Sequence, residues 1–415
     1  MKVVKLLKII IIYLLVITYS LELLTTLFIS KKYDFIENNF DEVKLQKIKL
    51  LPNFDTRPEA EVFFDEKKRT PELSTTFRLA QFHLYNQDLQ NKIKNFLDRK
   101  INNKKIIPFR GPINKLSLGD NEDGKRRLIK NDRYGFKNPN NVYEKNINLM
   151  ILGDSFAEGV PFDEENDIAG YIRNNSKYNA INFGVAGSGP LLSLAIIEEY
   201  GKIFKPKDVF YLFYEGNDMD DLLDEEKTFL IKYLDKYNQK LFTSIEEKNY
   251  FLDEFEKIML EILNIRNSNL TITDPIKRSK KIKFVERIRD FFELTALKNL
   301  FTDRKFIKKK ANYNLLNKVI KKMNNKVKKW DANLHFVYIP SWNRYNNKYA
   351  LSNFTFKNKI KKIVIKNNIN FIDIVDEFKN IKDINEINLY NLGLYGHFNK
   401  KGYEIVSKKI INSLN

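Results

Sequence analysis

The chain has 415 residues, of which 43% are hydrophobic and 30% charged; this is enough for one large domain or two ordinary ones, and too apolar for a disordered tail. There is no cysteine, which excludes disulfides, thiolate catalysis and cysteine-based metal sites, and a chain without stray thiols suits an oxidising compartment. Only His83, His335 and His397 supply imidazole, so a zinc site built mainly from histidine is not expected, and no metal or other cofactor is assigned. Lys and Arg number 72 against 53 Asp and Glu, a net charge of +19. Lys, Asn and Ile are abundant throughout, so the surplus reads as a chain-wide bias with solvated helix faces; no nucleic-acid partner is expected, since such a partner requires a clustered patch. The same charge suits a body held near anionic lipid headgroups.

Lys2, Lys5 and Lys8 precede a run over residues 9–29 that is apolar apart from a few hydroxyl residues and Glu22. About 20 apolar residues span a hydrocarbon core, so residues 1–30 read as a transmembrane anchor or signal-anchor. Thr18-Tyr19-Ser20 is a poor small-x-small cleavage site, which favours an uncleaved anchor. Lys31 and Lys32 follow the run, so lysines flank both ends and do not decide its orientation.

Residues 31–145 read as a mixed, partly helical leader with turn signals at Pro52, Pro58, Pro71 and Pro108. The spacing predicts a helix over 77–97, with His83 as a structural histidine within it. From about residue 146, short apolar runs alternate with helical segments. Strands are predicted over 147–152, 180–183, 209–214, 334–339 and 371–374, and helices over 168–175, 191–203 and 403–414. A charged helical insertion covers about 222–310, and 312–329 is an amphipathic helix with Leu316, Val319, Ile320, Met323 and Val327 on one face. Strands separated by helices imply a parallel sheet covered on both faces, with a ligand site at the carboxyl ends of the strands.

The polar motifs fall at those ends. The first strand runs into Gly153-Asp154-Ser155-Phe156, which delivers a serine hydroxyl beside free backbone N–H groups and the positive end of a helix, although Asp154 or Ser155 could equally cap that helix. The second strand ends in Asn182-Phe183-Gly184-Val185-Ala186-Gly187-Ser188-Gly189-Pro190, whose glycines let the backbone approach a ligand closely. Its glycine order does not fit a dinucleotide fingerprint. The third strand ends in Glu215-Gly216-Asn217-Asp218, where a side-chain amide can donate to a developing oxyanion or simply form an Asx turn. Near the end, Gly396-His397-Phe398-Asn399 leads into the last helix, and its histidine has the pKa to take a proton from a serine near neutral pH. Each signal alone is weak. Together, in this order, they assemble a nucleophile, a base and an oxyanion donor.

On these residues the chain resembles the SGNH (GDSL-like) hydrolases, whose four blocks centre on Ser, Gly, Asn and His. Gly153-Asp154-Ser155 matches the first block, Gly187 the second, Gly216-Asn217-Asp218 the third and His397 the fourth, and the resemblance covers residues 146–415 apart from the insertion. It implies a flavodoxin-like three-layer α/β/α sandwich that needs no metal. Ser155 would be the nucleophile and His397 the base, an oxyanion hole would form from Ser155, Gly187 and Asn217, and Asp154 and Asp218 would stand in support. The family pattern places Asp three residues before the histidine, where this chain has Leu394. A backbone carbonyl, a distant carboxylate or a loss of activity are the three ways to read that departure. Asp132-Arg133-Tyr134-Gly135-Phe136 followed by Asn138-Pro139 also resembles a lead-in of envelope-associated members that add or remove acyl groups on surface polysaccharides. The expectation is therefore a single-pass membrane protein with an extracytoplasmic catalytic domain, a serine esterase for acyl esters, in particular acetyl esters, of envelope carbohydrate. An O-acyltransferase and a non-catalytic carbohydrate-binding protein are the alternatives.

Overall fold

The computed structural model describes residues 2–24, 40–57, 59–76, 95, 106–269, 291–292, 294, 311–345, 350–381 and 384–414. The helix predicted over 77–97, with His83, lies outside them except for residue 95, as does most of the second half of the insertion. The apolar run at the start is helical over Lys2–Leu24, with exposed side chains from Ile9 to Ile17. No helix among the described residues is long and apolar enough to cross a membrane, which corrects the expectation of a transmembrane helix within them. Lysines open this helix and Glu22 lies near its end, so its uncharged stretch is residues 9–21, roughly 20 Å at ~1.5 Å per residue against a hydrocarbon core of about 30 Å. The rest of the expected span, residues 25–29, lies outside the described residues.

The leader builds a small sheet of its own. Strands β1 (Leu73–Ser74), β2 (Leu116–Leu118) and β3 (Leu128–Lys130) lie in that order, β1 parallel and β3 antiparallel to β2. Helix Glu59–Arg69 buries Ala60, Val62 and Phe63 against Leu73 and Leu118. The turn after β3 is fixed by Asp132, whose Oδ1 accepts the N–H groups of Tyr134 at 2.8 Å and Phe136 at 2.9 Å. That turn delivers Asn138 to the larger sheet.

The five-stranded sheet comprises β4 (Leu149–Leu152), β5 (Ala180–Asn182), β6 (Asp208–Tyr214), β7 (Asn333–Ile339) and β8 (Asn370–Asp373), all parallel, in the order β5-β4-β6-β7-β8. Counted within the sheet this is 2-1-3-4-5, the flavodoxin-like order, whose switch point lies between its first and third strands, here β4 and β6. Alternate side chains enter separate cores: Met150, Leu152, Tyr211, Phe213, Phe336 and Tyr338 on one face, and Leu149, Ile151, Phe210, Leu212, Val337 and Ile339 on the other. Helices Pro190–Ile196, Tyr313–Val327 and Ala350–Lys366 cover the first face, while Ile168–Asn175 and Lys400–Asn412 cover the second. Burial on both faces explains why β4 and β6 read as near-continuous apolar runs. β5 is an edge strand, and Asn138 meets its end: its amide donates to Asn182 O at 2.8 Å and its Oδ1 accepts the Asn182 N–H at 2.7 Å.

The expected start of the insertion at 222 falls inside helix Asp218–Glu225. Glu225 belongs to the sandwich, because its carboxylate accepts the N–H groups of Gly189 at 2.7 Å and Leu191 at 2.8 Å and so caps helix Pro190–Ile196. Farther on, helix Ile245–Asn269 buries Phe251 and Phe255 and meets the leader through Lys115 and Asp253, 3.1 Å apart.

Candidate active site

Strand β4 is buried along its length and breaks at Gly153, where φ is +139° and a Cβ would lie 2.6 Å from Leu212 O. Only glycine allows so abrupt a turn against the neighbouring strand. Asp154 then caps the short helix Ser155–Glu158, its Oδ1 accepting the Phe156 N–H at 2.9 Å. Ser155, the first residue of that helix, is half-buried at the carboxyl end of β4.

His397 comes from the loop before the last helix. Tyr390 and Phe398 form an isolated bridge, the Asn391 N–H donates to His397 O at 2.9 Å, and Asn399 caps helix Lys400–Asn412 through the Gly402 N–H at 3.0 Å. The imidazole lies against the Phe156 ring, 4.8 Å between centroids, with Nε2 2.6 Å from Ser155 Oγ. Its other nitrogen does not meet a backbone carbonyl. Nδ1 lies 2.7 Å from Glu122 Oε1, and the His397 backbone N–H donates to Glu122 Oε2 at 3.0 Å. The neutral tautomer with a proton on Nδ1 donates to Glu122 and leaves the Nε2 lone pair to accept from the serine hydroxyl.

Glu122 comes from the loop joining β2 to β3 in the leader. Asn121 anchors that loop by donating to Asp55 O at 2.6 Å, and Arg127 ties it to the sandwich, pairing with Asp123 at 2.5 Å and donating to Pro161 O at 3.1 Å. Burial opposes ionisation of Glu122, but the charge and hydrogen bonds of His397, with Lys47 nearby, outweigh it and hold the carboxyl down at about 2. Burial likewise disfavours an imidazolium at 397, and Glu122 overcomes it, so the His397 pKa lies above its ordinary value.

The remaining expected residues surround this pair. Burial pushes the Asp154 carboxyl up to about 6, against the pull of the Phe156 N–H, His397 and the Asn217 amide; its Oδ2 lies 3.5 Å from Ser155 Oγ. Asn217 follows β6 and directly precedes helix Asp218–Glu225. Asp218 holds that turn, accepting the Tyr211 hydroxyl at 2.9 Å and the Tyr214 N–H at 3.1 Å, and burial beside Asp154 and Asp221 raises it well above an ordinary carboxyl. Gly187 turns with φ +72°, a conformation that favours glycine. Neither its N–H nor that of Ser155 has a protein acceptor among the described residues.

The structure thus places Ser155 and His397 in hydrogen-bond contact and Asp154 and Asn217 beside them at the switch point of the sheet. Glu122 is the residue that reading the sequence missed. The visible signal was a turn cluster, Gly119-Asp120-Asn121-Glu122-Asp123-Gly124, between two short alternating runs, and nothing in it points 275 residues ahead to an imidazole. His335, by contrast, is packed away: it stacks on Phe210 and its Nε2 lies 2.9 Å from Asp208 Oδ1. Among the described residues, no group of three or more His, Cys, Asp or Glu side chains is arranged to hold a metal ion.

No protein-family model and no curated protein matches the sequence. Solved structures similar to this chain include a lipolytic protein of the G-D-S-L family from Desulfitobacterium hafniense, 12% identical over 64% of this chain and 99% of that one, TM-score 0.36. Another G-D-S-L lipolytic protein, from Veillonella parvula, is 11% identical over 64% and 97%, TM-score 0.34. An acetyl xylan esterase from Geobacillus stearothermophilus is 12% identical over 65% and 97%, TM-score 0.33. Overlap of this quality assigns no activity; the site itself has to carry one.

Proposed function

We propose that this protein is a serine ester hydrolase acting on acyl esters, in particular acetyl esters, of cell-envelope carbohydrate. The observation that carries the reading is the relay Ser155 Oγ to His397 Nε2 at 2.6 Å and His397 Nδ1 to Glu122 Oε1 at 2.7 Å. Ser155 attacks the ester carbonyl as its proton passes to Nε2, and the imidazolium formed is stabilised by Glu122. The tetrahedral oxyanion is received by the Ser155 and Gly187 N–H groups and the Asn217 amide. The imidazolium then protonates the leaving alcohol, giving an acyl-enzyme. Water, deprotonated by His397, attacks the acyl carbon and releases the carboxylic acid and free serine. The non-catalytic alternative drew on the missing Asp before His397, and with Glu122 hydrogen-bonded to the ring that reason falls away.

The carbohydrate substrate and an extracytoplasmic position are supported by the lead-in resemblance at Asp132 to Phe136 and Asn138-Pro139, and a membrane-held position by the exposed apolar side chains from Ile9 to Ile17 on the first helix. Purified protein should hydrolyse a small aryl acetate and an acetylated oligosaccharide, and Ser155→Ala should abolish both. Unchanged turnover in Ser155→Ala would sink the esterase reading. Transfer of acetyl to an added oligosaccharide in place of acetate release would make the protein an acyltransferase.

A further inference from the structure

Beside the triad lies a buried ion pair that the steps above do not use. Arg110, from the leader, is 2% exposed and Glu158, at the end of the helix begun by Ser155, is 4% exposed. Arg110 Nη2 donates to Glu158 Oε1 at 2.9 Å, and its Nη1 donates to Gly135 O at 2.8 Å and to Asn131 Oδ1. An enclosed ion pair returns its desolvation cost only where the remaining lone pairs and protons are also used. Here the second oxygen of Glu158 is used outside the pair: Oε2 accepts the Ala186 N–H at 2.6 Å.

Ala186 directly precedes Gly187. In the turn 185–188 the Val185 N–H donates to Gly153 O at 3.0 Å, the Ala186 N–H to Glu158, and the Ser188 N–H to Val185 O at 3.1 Å. Of these four N–H groups, only that of Gly187 has no protein acceptor among the described residues, and its φ of +72° lies in the left-handed region that favours glycine. The turn spends three donors on holding itself and keeps one for a ligand.

We propose that Glu158, locked in place by Arg110, is a positioning residue that presents the Gly187 N–H to the oxyanion. The helix that carries the nucleophile and the loop that carries the donor are then fixed to each other through one carboxylate, whose counter-ion comes from the leader. The inference rests on the ester-hydrolase reading for its kinetic consequence. Its geometric content stands apart from that reading.

The test compares wild type, Glu158→Gln, and the apolar replacement Arg110→Met with Glu158→Leu, which removes the acceptor without leaving a lone buried charge. On an aryl acetate, kcat should fall roughly 10²–10³-fold with KM little changed, the loss seen when an oxyanion donor is misplaced. The acid limb of the pH profile should stay where it is, because the His397–Glu122 contact is untouched. In uniformly ¹⁵N-labelled protein, amide exchange at Ala186 and Gly187 should quicken while amides in β7 keep their protection. Glu158→Gln serves alone if the double variant does not fold. Full kcat together with unchanged exchange at 186 and 187 in a folded variant overturns the proposal. An inactive wild type would count against the esterase reading, and the exchange measurement would still decide this one.

Discussion

Glu122 Oε1 and His397 Nδ1 lie 2.7 Å apart although 275 positions separate them along the chain. The carboxylate that meets the His397 ring is therefore held by a loop of the leader, outside the sandwich that carries the serine, the glycine turn, the asparagine and the histidine. Leu394, three residues before the histidine, sits in the same loop with its N–H donating to Asn391 O at 3.0 Å, and the acid that meets the ring arrives from elsewhere. In the proposed reaction the site is complete only with the leader docked.

Replacing Glu122 by Gln should lower kcat by roughly 10³–10⁴-fold, since an amide in this place favours the wrong imidazole tautomer. The pH dependence carries a sign. Glu122 raises the His397 pKa above its ordinary 6.5. The neutral base is thus lost as pH falls through a value above 6.5 in the wild type, and through a lower value in Glu122→Gln. Profiles of kcat/KM against pH check this; an acid limb that stays fixed in the variant would show that Glu122 is not the partner of the titrating imidazole.

Ser155→Ala and His397→Ala should each remove nearly all activity, and the double variant should be no worse than either single one, because a nucleophile and its base act as a unit. Additive losses, measured as kcat on the same aryl acetate, would separate the two roles and contradict the hydrogen bond at 2.6 Å.

Asn217→Ala should reduce kcat by roughly 10²–10³-fold with a smaller change in KM, the pattern of a donor used mainly in the transition state. Equal effects on substrate and transition-state binding would instead assign the side chain to the turn before helix Asp218–Glu225.

Asn138→Ala should destabilise the fold by about 1–3 kcal/mol, because it strands the buried N–H and carbonyl of Asn182 at the edge of the sheet. Urea unfolding measures the loss. Activity should fall with it at intermediate urea, since Asn138 follows the leader turn that docks on the sheet and the same leader carries Glu122.

What the sequence determined by itself was the local and periodic part. Apolar runs bounded by Gly, Asn and Asp marked the five strands to within two residues of their observed ends, because side chains buried in a parallel sheet leave few polar interruptions to misread. Helix Ile168–Asn175 forms where it was expected, and the structure adds its cap, the Asp167 side chain accepting the Gly170 N–H at 2.8 Å. Ser155, Gly187, Asn217 and His397 were legible as candidates because each stands where a strand or closing loop ends, which in this architecture is also where ligands sit. The tertiary structure alone decided which carboxylate faces the imidazole and which N–H group is left free in the glycine turn. The first depends on a contact between the leader and the sandwich and the second on one between the helix after β4 and the turn after β5, and a contact between segments far apart in sequence leaves no periodicity or spacing in the chain from which it can be read.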